Sequence, residues 1–210
     1  MIARRGILFI VSGPSGAGKT TLSSAALSTF EGLLSLSISC TTRSPRGGER
    51  HGVEYFFVDP DRFGEMVRGD ELAEWAEVHG HRYGTPRAPI DEAIREGRDM
   101  LLDIDVQGAA QIKRTYPEAV SVFLFPPDRA TLEGRLRGRG TDDETTVRRR
   151  LENACREIER APDYDFVIVN RGRDEAIAQF TSIVRGEQAR TARMDAGSLA
   201  AFVRGFGEGA

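Results

Sequence analysis

A chain of 210 residues with 40% hydrophobic and 29% charged side chains can bury the core of one α/β domain with insertions, and it lacks the core-poor composition of disordered proteins. Its formal charge of -3 argues against a general nucleic-acid binder, which carries a basic excess to displace counterions from phosphates. Two distant cysteines, Cys40 and Cys155, and a first apolar run of only five residues, 7–11, make a reduced cytoplasmic setting the expectation, with no disulfide and no membrane partner.

In chain order, the run at 7–11 reads as a buried strand that leads into Gly13, Pro14, Ser15, Gly16, Ala17, Gly18, Lys19, Thr20 and Thr21, with a helix over 19–29. This is GxxxxGK[ST] in its required strand-to-helix context. Glycines let successive backbone N–H groups turn toward a polyphosphate, the helix start adds positive potential, and Lys19 brings a full charge to the β and γ phosphates. Thr20 is then placed to offer its hydroxyl to Mg2+. The loop defines nucleotide binding without naming the acceptor, since GTPases, ATPases and small kinases share it.

From Leu36 to Tyr83 the pattern turns to β-type segments, SLSISC, VEYFFV and LAEWAEV, broken by RSPRGGERHG, which reads as an inserted, mostly β subdomain. Its arginines, Arg43 and Arg46, lie near Tyr55 on a turn-rich segment, and an arginine fork suits a monophosphate that must be held without reacting. A helix over 86–96 precedes a strand at 100–104 that ends in Asp103 and Asp105. In an open parallel sheet these carboxylates fall at the carboxyl edge beside the phosphate loop, where Asp103 fits an acid acting on Mg2+ directly or through water. Helices are expected over 106–115, 128–137, 142–160 and 174–193, with strands at 120–125 and 166–169. The Arg- and Gly-rich stretch 135–144 is expected to be exposed, and the terminal GFGEGA to fray. His51, His79 and His81 have no metal-ligand spacing and read as loop or surface residues.

Five segments, SGPSGAGKTT, TTRSPRGGERHGVEYFF, EWAEVHGHRYGT, LDIDVQGA and RLRGRGT, taken together and in this order, resemble the guanylate kinase family from about residue 6 to 190. The resemblance implies an α/β P-loop NTPase fold of three layers, with a parallel β-sheet core, an inserted β-rich GMP-binding subdomain and a small helical lid. It divides the chain into 1–35 (core with phosphate loop), 36–88 (GMP-binding subdomain), 89–128 (core), 129–147 (lid) and 148–210 (core and C-terminal helix).

The same resemblance implies transfer of the γ-phosphoryl group of MgATP to GMP, and to dGMP, with Mg2+ as cofactor and the two nucleotides as partners; monomer and homo-oligomer both remain open. It places Arg43, Arg46, Tyr55 and Tyr83 on the GMP phosphate, and Ser39, Glu74, Gly84, Thr85 and Asp105 around the guanine. Chemistry agrees: guanine donates from N1 and N2 and accepts at O6, so acids and hydroxyls form a complementary set that adenine cannot satisfy. Lys19, Arg43, Arg135, Arg139 and Arg150 are implied as the cations that neutralise the moving phosphoryl group, which needs positioning and charge rather than a protein nucleophile. Closure of subdomain and lid over both substrates is expected to keep water from ATP.

One segment departs from the family pattern. Acidic residues often follow the VIVN strand in the family, whereas Asn170 here precedes Arg171, Gly172 and Arg173, in the region expected near the adenine of ATP. A kinase of the same architecture acting on another phosphorylated acceptor, such as ribose 1,5-bisphosphate, is the nearest competing reading. A peptide-binding scaffold module is a more distant one, and the intact phosphate loop argues against it.

Overall fold

The computed structural model of the chain describes residues 2–78, 80–138 and 143–207. Strand β1 (Leu8–Ser12) runs through the glycine-rich loop into α1 (Lys19–Thr29), and β2 (Leu34–Leu36) follows. Next come β3 (Cys40–Thr41), β4 (Phe56–Phe57), α2 (Pro60–Arg68), β5 (Leu72–Val78) and β6 (His81–Pro86). The chain then forms α3 (Arg87–Arg95), β7 (Asp99–Asp103), α4 (Val106–Thr115), β8 (Val120–Phe125), α5 (Arg129–Arg137) and α6 (Glu144–Ile158). After a short 3-10 turn, β9 (Phe166–Val169), α7 (Arg173–Ala189) and α8 (Ala196–Gly207) complete it.

The core sheet has five strands in the order β2-β7-β1-β8-β9, all parallel. Its strands are nearly continuous apolar runs because both faces are covered. Ile7, Phe9 and Val11 face one layer with Leu22, Ala26, Phe30, Phe180 and Val184 of α1 and α7. Leu8 and Ile10 face the other with Ile90, Ala93, Ala109 and Ile112 of α3 and α4. This is the three-layer α/β architecture expected from the sequence.

The chain leaves β1 toward β2 at one edge and leaves β7 toward β8 on the other side. The carboxyl ends of adjacent β1 and β7 therefore flank a crevice, the usual ligand position in such sheets. The pairing Val11↔Asp103 fixes Asp103 beside the strand that feeds the glycine-rich loop.

The second sheet is mixed, in the order β4-β3-β6-β5. The inserted segment is less purely β than the sequence pattern suggests, because α2 lies between β4 and β5 in the chain and packs against this sheet. Asp59 caps that helix by accepting from Arg62 N, Pro60 opens its first turn, and Phe63 and Met66 bury one face against Cys40 and Leu72. The aromatic residues at 55–57 and the single turn Asp59-Pro60 dominate the local pattern and hide a nine-residue helix. At the other end, α7 stops at Ala189 rather than near Arg193, and a separate 3-10 turn at 191–193 leads to α8, which includes Gly205 and Phe206 from the stretch expected to fray.

Candidate active site

The glycine-rich loop is shaped by close approach to neighbouring backbone. Gly13 (φ 145°) lies so near the Leu124 carbonyl that a Cβ there would overlap it, and Gly18 (φ 106°) lies against the Asn170 side chain. Only glycine fits both the conformation and the space. Gly18 ends the loop in the left-handed region and no side chain caps α1, so the orphan N–H groups of its first turn remain for an anion.

Lys19 Nζ donates to Gly13 O at 2.6 Å, folding the ammonium back over the loop. Asn170 Nδ2 donates to Ala17 O at 2.7 Å, and Arg135 NH1 donates to Gly16 O at 3.1 Å and Ala17 O at 3.3 Å. The loop is thus held from behind by the residue after β9 and from above by α5. A cavity of about 640 Å³ has Gly16, Lys19, Thr20, Thr21, Asp103 and Arg135 among its walls on the loop side, and Ser39 and Tyr55 on the other. A smaller recess of about 270 Å³ opens between Gly18, Arg135, Asn170, Arg173 and Ile177.

Asp103 ends β7 half-buried, and burial raises its carboxyl above the usual range while Lys19 opposes that rise. Thr20 and Asp103 offer hard oxygen donors to the same cavity. Among the described residues no group of three or more His, Cys, Asp or Glu could hold a metal ion. A lone carboxylate and a hydroxyl fit Mg2+, which keeps several waters and takes substrate phosphate oxygens as further ligands.

Arg43 is 8% exposed. Its NH2 donates to Glu49 Oε1 at 2.9 Å, its NH1 donates to Ser44 O at 2.7 Å, and its guanidinium carbon sits 5.5 Å from the Tyr55 ring centroid. Tyr55 and Tyr83 meet edge to face at 5.9 Å, and burial pushes the Tyr55 phenol upward, which keeps it a donor. Glu49 also accepts from Arg46 N at 2.7 Å, so one carboxylate folds the whole arginine turn. Glu49 has no role in the expectations from sequence; its signal there is the spacing from Arg43 to Glu49 across a turn that holds Pro45, Gly47 and Gly48.

Glu74 is 7% exposed on β5. Thr85 Oγ1 donates to its Oε1 at 2.6 Å, and Ser39 Oγ lies 3.4 Å from Thr85 Oγ1. Burial pushes the Glu74 carboxyl up to about 7, opposed by the Thr85 hydroxyl and reinforced by Asp105. Gly84 lies between β3 and β5, where a Cβ would meet Leu72 and Trp75. Asp105 caps α4, its Oδ1 accepting from Gln107 N at 2.9 Å and Gly108 N at 2.8 Å. A cap of this kind fixes the carboxylate's position and leaves Oδ2 for another donor.

The structure therefore groups Lys19, Thr20, Asp103 and Arg135 around the loop, Arg43 with Tyr55 and Tyr83, and Glu74 with Ser39 and Thr85. Arg46 sits exposed on its turn, and its backbone rather than its side chain is tied down. Arg150 is half-buried on α6, two turns before Glu157 on the same face. Glu157, which the sequence reading passed over, is half-buried, raised by desolvation and close enough to feel Lys19 and Asp105. Arg139 and His79 lie outside the described residues.

A parallel sheet with a phosphate loop at its switch point, and an acid one strand away, defines a P-loop nucleotide-binding protein. A sequence model described as guanylate kinase matches residues 5–187. The chain is 52% identical over 189 residues to the guanylate kinase of Anaeromyxobacter dehalogenans, covering 89% of this chain and 83% of the relative. It is 46% identical over 204 residues to that of Nitrobacter winogradskyi, covering 97% and 92%. The crystal structure of guanylate kinase from Anaplasma phagocytophilum superposes with a TM-score of 0.76 at 32% identity, covering 93% of each chain. The chain belongs to the guanylate kinase family, and its activity is that of a guanylate kinase. No described helix is long and apolar enough to cross a membrane.

Proposed function

We propose that the two walls of the central cavity divide the work of phosphoryl transfer from ATP to GMP or dGMP. The loop residues Gly13 to Thr21 hold the ATP phosphates, with Lys19 on the β and γ groups, and the recess beside Asn170 and Arg173 receives the adenosine end. Arg43, Arg46, Tyr55 and Tyr83 hold the GMP phosphate. Ser39, Glu74, Gly84, Thr85 and Asp105 enclose the guanine. The observation that carries this reading is the single cavity lined by Lys19, Thr20 and Asp103 on one side and by Ser39 and Tyr55 on the other.

The chemistry needs two anions in line and neutralisation of the charge between them. Arg43, oriented by Glu49, presents a preorganised fork to an incoming monophosphate, and the tyrosine hydroxyls donate beside it. Arg135 reaches the loop from α5 and, with Arg139 and Arg150, supplies positive charge to the transferring group. Thr20 and Asp103 would hold Mg2+, which would supply positive charge to the transferring phosphoryl group. Glu74 in its ionised form accepts from guanine N1–H and N2–H2, while Thr85 and Ser39 complete the polar set. The division into core, subdomain (36–88) and lid (129–147) assigns closure to the parts that carry Arg43 and Arg135, with slow ATP hydrolysis when GMP is absent.

A coupled assay that offers GMP, dGMP, AMP, IMP and ribose 1,5-bisphosphate with MgATP tests this reading. GMP is expected to be the preferred acceptor. Preference for the ribose bisphosphate would show that the acidic pocket around Glu74 does not read a base.

A further inference from the structure

β5 is an edge strand, since the second sheet ends there. An edge leaves a row of backbone N–H and C=O groups without strand partners. At Trp75, the residue after Glu74, both groups are nevertheless bonded: Trp75 N–H donates to Gln111 Oε1 at 3.2 Å, and Gln111 Nε2 donates to Trp75 O at 2.8 Å. A primary amide carries the same donor and acceptor as a peptide unit. Gln111 therefore acts as one residue of a missing strand, delivered from a helix of the core.

The same helix face makes two further approaches. Residues three apart stack along a helix, and Asp105, Gly108 and Gln111 follow that spacing at the start of α4. A Cβ on Gly108 would stand 2.8 Å from Glu74 Oε2, so the carboxylate rests directly on the helix backbone. Asp105 caps the first turn through Gly108 N. Alongside this row α4 is packed into the core through Ala109 and Ile112. The spacing between the carboxylates of Glu74 and Asp105 is therefore referred to one rigid helix, although Glu74 belongs to the inserted sheet and Asp105 to the core.

We infer that Gln111 is a positioning residue for base selection: its side-chain amide fixes the Trp75 backbone on α4 and so sets how Glu74 meets the base of the acceptor nucleotide. The inference rests on the reading of Glu74 as the carboxylate that receives guanine. It adds a residue that touches neither substrate and predicts that acceptor recognition, not ATP recognition, depends on it.

The test compares the full-length enzyme with Gln111→Met, which keeps the side chain's length and removes both bonding groups, in the wild-type and Glu74→Gln backgrounds. Steady-state constants for GMP, IMP and MgATP are measured for each, with the thermal midpoint as a check on folding. Two lost hydrogen bonds at the lower end of their ordinary strength correspond to about a tenfold effect. Gln111→Met is expected to raise KM for GMP about tenfold, leave KM for ATP unchanged, and narrow the preference for GMP over IMP, which lacks the 2-amino group. In the Glu74→Gln background its effect is expected to shrink to less than about twofold, since coupled residues are non-additive.

An unchanged KM for GMP, a loss shared equally by GMP and ATP, or a full-sized effect in the Glu74→Gln background overturns the inference. If Glu74→Gln alone leaves the GMP to IMP ratio untouched, the assignment of Glu74 falls and takes the inference with it. Should Gln111→Met fail to fold, Gln111→Ala decides by the same criteria, because it removes both bonding groups, adds no charge and suits a helix interior.

Discussion

The Thr85 hydroxyl donates at 2.6 Å to Glu74 Oε1, and the two residues face one another across paired strands β5 and β6. An acid this deeply placed has too few partners to stay comfortably ionised. Burial lifts its carboxyl to about 7 while Thr85 holds it down and Asp105 pushes it further up. Without a ligand the site is thus partly protonated near neutral pH, and the proposed guanine, with two N–H donors, would favour its ionised form.

Recognition of GMP should accordingly depend on pH. If Glu74 receives the base as proposed, only its ionised form accepts from it, so KM for GMP is expected to rise as pH falls below about 7, with KM for ATP unaffected by this group. Glu74→Gln should abolish that dependence and narrow the preference for GMP over AMP. Steady-state profiles between about pH 5.5 and 8.5, a window spanning the raised carboxyl value, provide the measurement.

The same carboxyl should weaken the ligand-free fold as pH rises. An unfolded glutamate releases its proton near 4.5 and the folded one near 7; folding takes up a proton between these values, and stability falls as pH climbs through that window. The loss is on the order of 3 kcal/mol at most. Urea midpoints at pH 5 and pH 8 should differ more for the wild type than for Glu74→Gln.

Lys19→Ala should reduce kcat by at least about 10²-fold, the scale for losing one preorganised cationic or donor group at developing charge. The fold should survive, because the loop keeps its bonds from Asn170 and Arg135. Single-turnover transfer together with circular dichroism checks both halves.

Glu49→Gln should act on the acceptor phosphate. Its two oxygens orient the Arg43 guanidinium and the Arg46 backbone N–H, and a neutral amide loses the charge-assisted bond that holds the fork. KM for GMP is expected to rise about five- to thirtyfold, equivalent to roughly 1–2 kcal/mol, with little change for ATP.

Far from the cleft, Asp99→Ala should destabilise the enzyme without altering substrate preference. Asp99 is fully buried at the start of β7, takes both Arg4 nitrogens at 2.6 and 2.8 Å, and accepts from Ile7 N and Gln188. Removing it leaves a largely buried guanidinium unpaired, a cost of about 3–5 kcal/mol. Thermal unfolding would show the shift.

The phosphate loop, four of the five parallel core strands and the helices between them are legible in local patterns, glycine spacing and apolar runs, whereas β2, read with SLSISC as part of the inserted segment, belongs to the core sheet. The sequence also carried the family, through motifs spread along the chain. Local pattern failed where a helix was brief and flanked by aromatic strands, as at Pro60–Arg68. Packing in three dimensions sets Glu74 on Gly108, closes the edge of β5 with Gln111, joins Glu49 to Arg43, and brings Glu157 on α6 to the wall of a cavity shared with Lys19 and Asp105. Those relationships join residues on separate elements, often dozens of positions apart, and no spacing along one strand or helix encodes a distance that packing alone creates.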